Sequence, residues 1–103
     1  MTRSPLTLAA AATSALPRVG VVAAGPLTST ATGRFDSAVL TLDDGRRVVV
    51  RAPATDDAAR DLAAEALALR ALTPGVRAVL GMRAPEYLGE AGLGDVRALV
   101  TDF

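Results

Sequence analysis

The 103 residues carry eleven Arg, no Lys, eleven acidic side chains and neither His nor Cys, so the formal net charge is zero. Without net charge there is no field to draw the chain to nucleic acid or an anionic membrane. Without His or Cys, the commonest general base and metal ligand, thiolate nucleophiles, disulfides and zinc–thiolate sites are all excluded.

The length suits one domain, residues 1–103, burying roughly 60 to 70% of its unfolded surface. In chain order, Ser4 and Pro5 can cap and open a helix that Pro17 stops, so residues 1–17 are predicted to pack as an N-terminal helix beside the rest. Met1 to Leu16 also has the outline of a short signal peptide. Thr7, Thr13 and Ser14 interrupt its apolar run, however, and no stretch reaches the ~20 apolar residues of a membrane span. A cytoplasmic location is expected.

Val19 to Ala24, apolar and closed by Gly25-Pro26, reads as a first strand, and Leu27 to Arg34 as a polar loop rich in Ser and Thr. Phe35 to Leu42 and Arg47 to Ala52 form a hairpin through Asp43-Asp44-Gly45-Arg46. With Asp44-Gly45 in a type I′ turn, Asp43 would pair with Arg46, Leu40 with Val49, and Arg51 with Ala38; Val49 and Arg51 share a face by alternation.

Pro53 ends the hairpin. Thr55 is placed to cap a helix from Asp56 to Leu72, with Asp56 and Asp57 in its first turn and Thr73-Pro74-Gly75 as the stop. Leu62, Leu69 and Leu72 fall on one stripe of this helix, and at ~100° per residue Glu65 lies roughly 20° from Leu72 and roughly 40° from Leu69. Its carboxylate is therefore expected to be covered with the leucines. Asp61, Leu62, Ala68 and Leu69 offer it no cation, so a partner from another element is required. After an irregular segment holding Arg77 and Arg83, Pro85 to Glu90 and Val96 to Thr101 read as strands joined by a turn at Ala91 to Gly94. The predicted class is α+β: a five-stranded antiparallel sheet with one principal helix on one face and an N-terminal helix nearby.

The order of strand, polar loop, strand, tight turn, strand ending in a cation, helix with a buried acid, and two strands resembles the N-terminal lobe of a kinase. There the third strand ends V-A-I-K, whose Lys holds the nucleotide α and β phosphates and pairs with a Glu of the next helix. Val48-Val49-Val50-Arg51 and Glu65 occupy those places, and Val49 that of the small residue against adenine. The chain more closely resembles the aminoglycoside and macrolide phosphotransferase family, whose members often end this strand in Arg. Gly45 to Pro53, Tyr87-Leu88-Gly89 and Leu99-Val100-Thr101-Asp102-Phe103 carry that likeness, which spans roughly residues 20 to 103.

The resemblance implies a nucleotide-binding lobe for ATP or GTP. Arg51 would hold the phosphates and Glu65 would orient it. Ser29, Thr30, Thr32 and Gly33 would cover the phosphates, with one glycine in place of G-x-G-x-x-G, and the backbone from Thr101 to Phe103 would meet the base. The general-base Asp, the metal-binding Asn and the magnesium-binding Asp of the family would lie beyond Phe103. No catalytic or metal-binding residue is therefore expected within this chain, and a C-terminal lobe or partner chain is the implied complement. A free-standing binding or regulatory module is the alternative, and a secreted structural domain a third. The plain counterparts are a surface Arg51, a Glu65 turned to solvent, a Ser/Thr loop that is only a turn, solvated Arg77 and Arg83, and turn residues Asp43, Asp44 and Asp95.

Overall fold

A computed structural model describes residues 4–16, 18–29, 33–72, 86–94 and 96–103, with backbone alone at Ser29. Ser4 caps helix α1 (Pro5–Ala15): its hydroxyl accepts from the Thr7 N–H at 3.2 Å, and Pro5 sits in the first turn, where a missing N–H costs nothing. Strands β1 (Val21–Ala24), β2 (Thr28–Ser29), β3 (Phe35–Leu42) and β4 (Arg47–Pro53) precede helix α2 (Asp56–Ala71), and β5 (Tyr87–Leu93) and β6 (Val96–Asp102) follow it. Five strands form an antiparallel sheet in the order β1-β3-β4-β6-β5, and the two-residue β2 pairs with β3 beside β1. The α+β class is as the sequence predicts. No helix among the described residues is long and apolar enough to cross a membrane.

Alternation divides the sheet into an apolar face and a mixed one. Ala38, Leu40, Leu42, Val48, Val50, Ala98 and Val100 point one way and pack against Leu8, Ala11 and Ala12 of α1. On the other face Leu99 packs against Leu62, Ala66 and Leu69 of α2, with Phe35, Leu72 and Tyr87 around them. Both faces are thus covered, where the sequence reading covered one. The first face is apolar along β3, β4 and β6 and is buried by α1, whereas on the second Val39, Val49 and Leu99 alternate with Ser37, Arg51 and Thr101, and α2 covers it where Leu99 lies. Each fully buried leucine of this core, such as Leu8, Leu40 and Leu99, contributes on the order of 1.5 to 3 kcal/mol.

The hairpin register differs from the predicted one by a residue. Thr41 pairs with Arg47, Leu40 with Val48, Ala38 with Val50, and Ser37 with Arg51. The Gly45 N–H donates to the Leu42 carbonyl at 3.0 Å and Gly45 has φ +87, while among the described residues no non-glycine has positive φ. The connection is therefore a three-residue loop, a type I turn closed by a left-handed glycine, because a type I′ turn would force Asp44 itself to positive φ. Asp44 instead accepts from the Arg46 N–H at 3.0 Å and from Arg46 Nε at 2.8 Å. The one-residue slip sends Ala38, Leu40 and Leu42 to the face opposite Arg51, where α1 covers them.

Two further boundaries move. Thr28 and Ser29 belong to β2, paired with Ser37 and Asp36, so the predicted polar loop is shorter; the Thr28 hydroxyl also donates to the Ser37 carbonyl at 3.3 Å. Strand β5 continues to Leu93 through the expected turn, because Ala91 pairs with Ala98 and is buried. Expectations for Pro17, Thr30, Thr32, Thr73-Pro74-Gly75, Arg77, Arg83, Pro85 and Asp95 lie outside the described residues.

Candidate functional site

The face of the sheet turned toward α2 is built in rows by the strand registers. Val39, Val49, Thr101 and Tyr87 lie side by side across β3, β4, β6 and β5, and the next row holds Thr28, Ser37, Arg51, Leu99 and Glu90. Arg51 and Val49 are thus on one face, as alternation requires, and Thr101 joins them from β6. Thr101 is buried, Val49 and Val39 are half-buried, and Leu99 is covered by α2. α2 covers this face at Leu99 and Arg51 and leaves the Val39 and Val49 row in partial contact with solvent.

Helix α2 begins where Thr55 caps it, its hydroxyl accepting from the Ala58 N–H at 3.2 Å and donating to the Asp57 carboxylate at 2.5 Å. That hydrogen bond holds the Asp57 carboxyl below the ordinary carboxylate range, with the charge of Arg34 adding to it. The buried positions are Ala58, Leu62, Ala66 and Leu69. Their stripe centres on Leu62 and Leu69, and Glu65 lies roughly 55° from its middle at ~100° per residue.

Glu65 is consequently an exposed residue, a correction to the covered carboxylate expected from the leucine spacing. Its partner is the expected one. Arg51 Nη2 donates to Glu65 Oε2, the two side chains remaining 28% and 43% exposed. Partial burial beside α2 pulls the Arg51 guanidinium below its ordinary value, and it stays charged throughout the range in which proteins fold. Among the described residues Arg51 Nε and Nη1 have no hydrogen-bond partner, which leaves donors for an anion after Glu65 is satisfied.

The remaining predicted positions are less convergent. Gly33 has φ +70 with nothing near the position of a Cβ, so the loop between β2 and β3 turns there through a left-handed residue. Ser29 lies in β2 opposite Asp36, and Thr30 and Thr32 are outside the described residues. Phe103 is 67% exposed; its N–H donates to the Arg47 carbonyl at 3.2 Å, and the Arg47 guanidinium stacks 4.8 Å from its ring centroid. The end of β6 is held further by the Asp102 N–H donating to the Glu86 carbonyl at 3.1 Å and the Glu86 N–H donating to the Asp102 carboxylate at 2.6 Å. Among the described residues no group of three His, Cys, Asp or Glu side chains is placed to hold a metal ion.

Two polar assemblies around this face escape the sequence reading. Arg34, just before β3, pairs with Asp61 and, at 3.4 Å, with Asp57, and its guanidinium lies 5.4 Å from the Phe35 ring centroid. The hydrogen bond with Asp61 holds Arg34 above its ordinary value. An acid pair four residues apart on the first turns of α2 was the signal, lacking only a way to know which arginine faces it. The second assembly joins Tyr87, whose hydroxyl donates to Glu90 Oε2 at 2.9 Å, with Arg70 lying 5.7 Å from the Tyr87 ring centroid. A register shift between Tyr87 and Gly89 brings Tyr87 and Glu90 to the same face, and nothing in the sequence announces that bulge. Desolvation, with Glu90 beside it, raises the Tyr87 phenol above its ordinary value.

Chemically, this face offers one half-buried cation held by a helix carboxylate, with spare N–H donors, beside a row of small apolar side chains and a buried threonine. Such a surface suits an anionic group attached to a flat or apolar body. No protein-family model, curated protein or solved structure matches the chain.

Proposed function

We propose that the chain is the nucleotide-binding lobe of a phosphotransferase that moves the γ-phosphate of ATP or GTP to a small-molecule hydroxyl. The observation that carries this reading is the Arg51–Glu65 pair, a strand-end cation oriented by the following helix with donors to spare, on the same face as Val49 and Thr101. Arg51 would bind the nucleotide phosphates through Nε and Nη1, while Glu65 keeps the guanidinium in place. The backbone around Gly33 would approach the phosphates from the β2–β3 connection, Val49 would pack on the base, and the chain from Thr101 to Phe103 would lie at its edge. The donor set suits a polyphosphate: a guanidinium whose Nε and Nη1 are unused among the described residues.

Magnesium carried with the nucleotide neutralises phosphate charge, and its ligands, like the group that activates the acceptor hydroxyl, would come from a second lobe or chain. On this reading the described residues bind and orient the nucleotide, and positioning and charge neutralisation at the acceptor fall to groups outside them.

The test is a titration with a fluorescent ATP analogue. The wild type binds saturably, and Arg51→Ala weakens binding ~10-fold or more, the loss of a charge-assisted contact. Glu65→Gln weakens it less, since it disturbs the orientation of Arg51 and leaves the cation. Equal affinity in wild type and Arg51→Ala overturns the reading.

A further inference from the structure

On the far side of Leu99 from Arg51, α2 and the β5–β6 hairpin enclose a pocket of ≈ 200 Å³ whose walls include Leu62, Ala63, Val96 and Leu99. Glu90 and Arg97 are its charged lining residues. The two charges differ in burial: the Arg97 side chain is 71% exposed, whereas the Glu90 side chain is only 16% exposed. Glu90 is fixed in place, because its Oε2 accepts from the Tyr87 hydroxyl. Its Oε1 accepts no hydrogen bond among the described residues; the nearest cationic atom is Arg97 Nε at 3.9 Å, beyond hydrogen-bonding distance. A carboxylate largely shielded among apolar walls, with one oxygen held only by a long contact to an exposed arginine, favours a cation that can approach it more closely.

We propose that this pocket binds a small organic cation, a primary ammonium on a short apolar stem, with the ammonium donating to Glu90 Oε1 and the stem lying on Leu62 and Leu99. The volume suits a benzyl or short alkyl ammonium and is too small for a nucleotide. The site needs neither Arg51 nor a bound nucleotide, so it stands apart from the phosphotransferase reading. Arg97 is the resident competitor, an exposed cation that the ligand displaces from a loose contact.

The test is a titration of the ¹⁵N-labelled chain with benzylammonium chloride, compared with benzyl alcohol, which has the same stem and no charge. Benzylammonium shifts the amide signals of Leu62, Ala63, Glu90 and Leu99 saturably, and the alcohol binds ~10-fold more weakly or worse, the value of a charge-assisted hydrogen bond. Glu90→Gln, which keeps an acceptor for the Tyr87 hydroxyl, brings the ammonium down to the affinity of the alcohol. Arg97→Ala tightens the ammonium several-fold. Ala63→Leu fills the pocket and removes both ligands while Glu90 keeps its charge, which decides the matter should Glu90→Gln unfold. Equal affinity for the two ligands, shifts outside the pocket, no shifts at all, or ammonium binding untouched by Ala63→Leu overturns the proposal.

Discussion

Arg51 and Glu65 meet at the rim of α2 and not beneath it, so the pair joins sheet to helix while both side chains keep contact with water. A double-mutant cycle on Arg51→Ala and Glu65→Ala, read by urea denaturation, is expected to return a coupling of about 0.5 to 1 kcal/mol. Glu65→Ala alone should cost less than about 1 kcal/mol. A coupling of about 3 kcal/mol or more would mean a desolvated pair and a helix phase different from the one described.

The β3–β4 connection depends on one left-handed residue. Gly45→Ala places a side chain at φ +87 in otherwise open space, so its cost is conformational and is expected at about 1 to 2 kcal/mol. Gly92→Ala, in β5, also meets open space but without positive φ, and should be neutral or stabilising by up to about 1 kcal/mol through the unfolded chain. Thermal unfolding of the two variants side by side checks the contrast.

Gly89 sets how closely α1 lies on β5. A Cβ there would stand 3.1 Å from the Ala15 carbonyl oxygen and 3.2 Å from the Ala15 Cβ, and the oxygen belongs to helix backbone that cannot rotate away. Gly89→Ala is expected to destabilise by about 1 to 3 kcal/mol, the cost of overpacking. Ala15→Gly in the same chain removes the Cβ contact and should recover part of that loss. No recovery would place the strain elsewhere.

The helix cap predicts the acid limb of stability. Asp57 is held below its ordinary value of 3.8, first by the Thr55 hydroxyl and then by Arg34, and Asp44 is held down by the Arg46 N–H. A carboxyl whose pKa is lower in the folded chain than in the unfolded one stabilises fully above the unfolded value and loses that contribution as pH falls through the folded one. Stability should therefore drop as the pH goes below about 4. Thr55→Val should lower stability at neutral pH by about 1 kcal/mol through the lost cap and make the acid limb shallower. An acid limb as steep as that of the wild type would remove Thr55 as the cause of the Asp57 shift.

Local chemistry alone determined much of this chain. Ser4-Pro5 and Thr55 cap their helices as their side chains dictate, Gly45 marks the hairpin, alternation sets Val49 and Arg51 on one face, and Glu65 has no cation within its own helix turn, so that its partner comes from another element. Each of these follows from bonding or sterics within a few residues, or from a charge that needs a partner. Three things were decided only by tertiary packing. The hairpin register turned on whether Asp44 would join Gly45 in the left-handed conformation, and the apolar face of β3 that α1 covers settles the same choice. The exposure of Glu65 turned on a helix phase centred on Ala58, Leu62, Ala66 and Leu69, which leucine spacing misjudges because the small alanines also seek burial. The Arg34 clamp on Asp57 and Asp61, and the Glu90 carboxylate held by Tyr87, join residues far apart in sequence or brought to one face by a bulge. Only long-range pairing specifies which of eleven arginines meets which acid, because every arginine offers the same donors and the fold alone sets their distances.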